Sequence, residues 1–151
     1  MFLFCGGDVH GGKLGTIRGQ GCRRKANGMK RTPLETEEEL QWVLDYMLLP
    51  IVLDVLERDI RMLDTLKLKM PVIYIRSLRR VQDRVSSEMA AVRGKLRSRG
   101  IRVYDERRTK EQLEADFLCR GYHRKCSMLW GLVKSEVERK LCTYLELDLA
   151  E

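Results

Sequence analysis

The chain is poor in the residues on which catalysis and disulfide scaffolds are built. Two histidines, three prolines, two tryptophans and 7% aromatic residues serve 151 positions. His123 is the only histidine beyond residue 10, so acid–base work near neutral pH has a single ordinary candidate in the main part of the chain. The five cysteines (Cys5, Cys22, Cys119, Cys126 and Cys142) form an odd, scattered set. A secreted disulfide framework needs an even and denser one, so reduced thiols are expected. No apolar stretch approaches the roughly 20 residues that span a bilayer, and no membrane partner is expected. Met1-Phe-Leu-Phe-Cys5 is too short for a signal-peptide core and has no basic residue ahead of it. A cytoplasmic location follows. No internal repeat occurs, and no linker divides residues 32–151.

What the chain does have is charge, unevenly divided. Residues 1–31 hold seven Lys/Arg against one acid, Asp8, which is +6 of the total +7. Residues 32–151 hold 22 basic and 21 acidic residues. The first segment also carries eight glycines between residues 5 and 28. So much glycine and so little apolar surface cannot offset the entropy of ordering, and a disordered basic tail over 1–31 is expected. Gly7–Lys13 matches GxxxxGK, but Leu14 stands where a phosphate loop needs its metal-binding hydroxyl. A translation start at Met29 would account for the abrupt change. Arg23-Arg24-Lys25, just ahead of it, is encodable as AGG-AGG-AAG, a purine-rich ribosome-binding sequence.

Residues 32–151 read as one helix-rich domain of a size that buries a single core. Two capping boxes, Thr32-Pro-Leu-Glu35 and Thr36-x-x-Glu39, open a first helix that is apolar nearly all round from Leu40 to Leu56. Pro50 is expected to kink or split it, and Pro71 to end it. Val72–Ile75 suits either a strand or a helix led by Pro71. Leu78, Val81, Val85, Met89, Val92 and Leu96 then mark one helical face, which packs within the chain or forms a dimer seam, and Gly100 stops the helix. Alternation at Ile101–Tyr104 and Leu113–Arg120 predicts a β-hairpin over about 101–122. The rival is a short helix capped by Thr109 and Gln112. Leu129, Val133, Val137, Leu141 and Leu145 predict a last helix with Ser127 as N-cap and a Glu136–Lys140 pair. The fold class expected is α+β, mostly α: three main helices, the first kinked at Pro50, with one hairpin before the C-terminal helix.

Chemistry has thin material. Cys119, His123 and Cys126 lack the regular spacing and fourth ligand of a zinc site, and four residues of strand span roughly 13 Å. No catalytic residue, metal or cofactor is expected, because no nucleophile, base and orienting group stand together. Charge is more suggestive: residues 93–125 hold eleven basic and five acidic residues. Arg97, Arg99, Arg102, Arg107, Arg108, Arg120, Arg124 and Lys125 are the candidate phosphate contacts, with Tyr104, Phe117 and Tyr122 interleaved. The first expectation is a non-enzymatic interaction or adaptor protein with a protein partner or a second copy. A small nucleic-acid-binding regulator using the basic hairpin is the alternative.

Overall fold

A computed structural model describes residues 36–148. The glycine-rich tail, its GxxxxGK stretch, Met29 and the Thr32 capping box lie outside the described residues. The first helix, α1 (Glu37–Thr65), begins at the second start signal. Thr36 Oγ1 accepts from Glu39 N at 3.2 Å and Glu39 Oε2 accepts from Thr36 N at 3.1 Å, satisfying donors that a helix start leaves orphaned. Pro50 does not split α1. It removes the N–H that would bond the Tyr46 carbonyl. Met47, Leu48, Leu49 and Val52 beside it are buried, however, and packing on several sides carries the helix through the defect.

The second helix, α2 (Pro71–Ser98), takes Pro71 at its start, so Val72–Ile75 is helical. Proline presets the first helical φ and forfeits no bond there. Val81, Val85, Val92 and Leu96 join α1 in the core, so the stripe is used within the chain. Gly100, at φ +67°, makes the left-handed turn after α2 that a side chain would strain.

Three antiparallel strands follow: β1 (Ile101–Arg108), β2 (Gln112–Cys119) and β3 (Tyr122–Leu129), in that order across the sheet. The expected hairpin is β1–β2, and β3 is an addition to it. Ser127 therefore lies within β3, and Leu129 takes the N-cap position of the last helix, α3 (Trp130–Leu145), without a side-chain cap bond. The alternation of β3 is masked in the sequence because Arg124 takes a core-side register position opposite Phe117, ahead of Cys126 and Met128. Thr109 and Gln112 cap a turn, not a helix. Thr109 Oγ1 donates to Gln112 O at 2.8 Å and accepts from Gln112 N at 3.0 Å. This turn also holds the start of α3, through Trp130 Nε1 donating to Thr109 O at 2.8 Å.

The inner face of β2 (Leu113, Ala115, Phe117 and Cys119) packs with α1, α2 and α3 into one core. In α3 only Val133 and Val137 are buried, while Leu129 and Leu145 at either end of the predicted stripe are exposed. Phe117, 1% exposed, is among the largest buried side chains. Phe117→Ala is expected to lower unfolding free energy by about 3–5 kcal/mol in a denaturant titration.

One ion pair fastens sheet to helix. Arg120 and Gly121 form a two-residue turn between β2 and β3 with φ +50° and +85°, the geometry that matches strand twist. The turn sends Arg120 Nη2 to Glu39 Oε1 at 2.5 Å, and Glu39 is only 2% exposed. Arg120 N also donates to Gly100 O at 3.2 Å. Removing the guanidinium leaves a buried carboxylate without its cation. Arg120→Ala is expected to cost about 2–3 kcal/mol, below a fully buried pair because water reaches Arg120. An unchanged denaturation midpoint would refute the role of this pair.

Candidate functional site

The strands place the eight candidate phosphate contacts in different surroundings. Arg97 lies in the last turn of α2, Arg99 caps it, and Arg102 follows in β1; these three hold no ion pair among the described residues. Arg107 lies on the outer face of the sheet, 2.6 Å from Asp116, 3.2 Å from Asp105 and 3.9 Å from Glu114. Lys125 pairs with Glu114 at 3.2 Å. Arg108 turns to Asp54 on α1 at 3.2 Å, and Arg120 to Glu39. Arg124 is half-buried on the core side of β3. The basic segment therefore scatters: part of it faces the helices, and part interleaves with Asp105, Glu114 and Asp116 in a charge ladder across the strands.

That ladder has a titration signature. Hydrogen bonds from Gln112 and Lys125 hold the Glu114 carboxyl below the ordinary glutamate range, with the Arg107 charge assisting. A depressed carboxylate contributes stability above its unfolded pKa and loses it as pH falls through the folded one. Lys125→Met is expected to move the Glu114 carboxyl titration upward in side-chain carbon NMR; an unmoved titration would contradict the ladder.

The candidate ligands Cys119, His123 and Cys126 do not converge. Cys119 and Cys126 are buried on the core side of the sheet and form no disulfide. His123 is exposed on the outer face, where its Nδ1 lies 3.1 Å from Tyr104 Oη with the two rings edge to face at 5.7 Å. Tyr104 reaches it because a bulge between Val103 and Asp105 adds one residue to β1. Among the described residues, no group of three His, Cys, Asp or Glu side chains is placed to hold a metal ion.

A polar cluster ties the three helices together. Lys140 Nζ on α3 lies 3.0 Å from Asp45 on α1 and 3.5 Å from Glu88 on α2. Tyr144 donates to Glu88, and Arg84 donates to the Tyr144 carbonyl at 2.9 Å with its guanidinium 5.7 Å from the Tyr144 ring centre. Burial and the Glu88 carboxylate push the Tyr144 hydroxyl well above its ordinary pKa. One lysine between two carboxylates is the arrangement of a helix clasp. Lys140 is thus spent across helices, and Glu136 pairs with Arg139 instead, at 2.7 Å.

The sequence reading missed the feature that stands out most: the far end of the α1–α2 hairpin. No residue from 61 to 80 is buried. Met62, Leu66, Met70, Val72, Ile73 and Tyr74 are each more than half exposed. Val72, Ile73 and Tyr74 occupy consecutive positions of the first turn of α2, which point in three directions about the axis. All three being open means that nothing packs on this turn from those sides. The residues between Asp54, where Arg108 anchors the sheet, and Thr65, where α1 ends, extend about 15 Å. The hairpin thus reaches beyond the sheet. The same stretch holds six basic residues (Arg61, Lys67, Lys69, Arg76, Arg79 and Arg80), of which Arg61 pairs with Glu57 at 2.9 Å, against one acid, Asp64. A shallow open depression on α1, lined by Asp54, Glu57, Arg58, Arg61, Met62 and Thr65, adjoins this end. The signal was hidden because the acidic start of α1 outweighs the basic tip when residues 32–92 are summed.

A long helical hairpin laid across a three-stranded meander and closed by a third helix defines an α+β domain that is mostly helical. Residues 34–149 match the YhjD protein family, and the chain belongs to that family. No curated protein and no solved structure matches it. Among the described residues, no helix is long and apolar enough to cross a membrane.

Proposed function

We propose that this chain is a non-enzymatic cytoplasmic interaction protein that works by docking, with the tip of the α1–α2 hairpin as its contact surface. The observation that carries the reading is the set of six large apolar side chains left open at one end of a domain whose other apolar residues mostly pack together. Contiguous exposed apolar surface on a soluble fold marks a place where something else binds. Charge narrows the partner. Tip-to-tip pairing of two copies would bring two clusters into contact, each with one acid and five cations besides the Glu57-paired Arg61, and like charges at an interface oppose association. An anionic partner is favoured over a second copy.

The nucleic-acid reading has less support. Arg107, Arg108, Arg120 and Lys125 each hold a carboxylate partner, which reduces the charge available to phosphates. Arg97, Arg99 and Arg102 alone make a small patch.

A photo-crosslinking side chain placed at position 73, with position 138 on the exposed face of α3 as reference, tests the docking reading in cells. Adducts are expected at 73 and not at 138. Their absence at 73, or equal yield at both, would contradict it.

A further inference from the structure

We infer that the anionic partner is the surface of a phospholipid bilayer, into which the hairpin tip inserts without crossing. This rests on the tip being the docking surface and names what it meets. The absence of a spanning helix bears on crossing a membrane and leaves surface insertion open.

Three observations favour lipid over an acidic protein. First, the apolar side chains surround the tip. Val72, Ile73 and Tyr74 point in three directions, with Met62 on the neighbouring helix and Leu66 and Met70 in the connection. A one-sided protein contact would leave some of these in water. A fluid acyl layer covers a projecting tip from every side, and amphipathic elements sit about 5–10 Å into that boundary.

Second, the charge is placed as a collar. Arg76, Arg79 and Arg80 follow Tyr74 by two to six residues, or about 3–9 Å along the helix. That is the depth at which lipid phosphates would lie if Ile73 reached the acyl boundary. Each basic residue near an anionic leaflet adds to the attraction, screened over a Debye length. Lys67 and Lys69, in the connection itself, are exposed, and their long stems can lie along the apolar layer while the ammonium groups stay with the headgroups. Third, Tyr74 combines an apolar ring with a polar hydroxyl, the side-chain type that collects at the membrane–water boundary.

The test uses the full chain and vesicles of phosphatidylcholine alone or mixed equally with phosphatidylglycerol, separated by sedimentation. The seven basic residues before Thr32 would draw the chain to any anionic surface, so the informative quantity is the difference between variants that share them. Met70→Glu/Ile73→Glu places charge on positions already open to water, and circular dichroism checks that the fold is kept. Lys67→Gln/Lys69→Gln removes charge without touching the apolar apex.

Binding of the wild type to the mixed vesicles is expected, weakened at least about tenfold by Met70→Glu/Ile73→Glu and to a smaller extent by Lys67→Gln/Lys69→Gln. Equal binding by wild type and the first variant would assign attachment to the N-terminal charge and overturn the inference. No binding of the wild type to either vesicle would overturn it too. So would equally strong, tip-dependent binding to polyglutamate, which would transfer the partner to the acidic proteins. If vesicles fail while position 73 still crosslinks in cells, the lipid assignment falls and the docking reading stands.

Discussion

A single buried carboxylate sets the arrangement of this domain. Glu39 closes the first turn of α1 on one oxygen and receives Arg120 on the other. Both tasks must be met together, because a carboxylate almost removed from water is costly unless it is bonded and paired. Meeting them fixes the β2–β3 turn against the start of α1. The Arg120 amide then fastens the end of α2 through Gly100. Residues far apart in the chain are thereby gathered at one end of the molecule, and the sheet can lie along α1 only in one direction. From there the strands run to Asp54, where Arg108 makes the second attachment.

The opposite end has no such fastening among the described residues. Past Ile60 on α1 and ahead of Val81 on α2 the two helices run on without a buried residue. This division explains why a helical hairpin of such length ends in apolar side chains open to solvent. The core is completed by the sheet and α3 near the clamped end, and Lys140 seals the three helices between Asp45 and Glu88. The buried core and the open apolar tip are thus placed at opposite ends of one pair of helices. Under the proposed docking role, substitutions at the tip alter docking while the core is left intact.

Much of this order is legible in the residues. The Thr36–Glu39 box, Pro71 leading α2, Gly100 ending it and the Val133–Val137 stripe are local signals, and local signals survive in the fold. What is not legible depends on contacts distant in sequence. β3 is masked by Arg124, whose charge breaks an alternation that only the register with Phe117 restores. Glu39 reads as one of three acids favouring a helix start; its burial depends on an arginine 81 positions away. The eight candidate phosphate contacts are a cluster along the chain but not in space, since alternate strand residues face opposite sides. The tip is hidden for the converse reason: Leu66 and Val72–Tyr74 look like core, and only the positions of the sheet and α3 show that they are left open.

Native-state hydrogen exchange on the full chain tests the clamped-and-free division most directly. Opening free energies in a folded protein range from near zero to the global value. The account predicts that amides of residues 43–56 and 81–96, together with those of β2, exchange only through global unfolding. Protection should fall steadily along α1 beyond Ile60 and be lowest across 62–76. Protection at the tip equal to that beside Glu39 and Arg120 would contradict it.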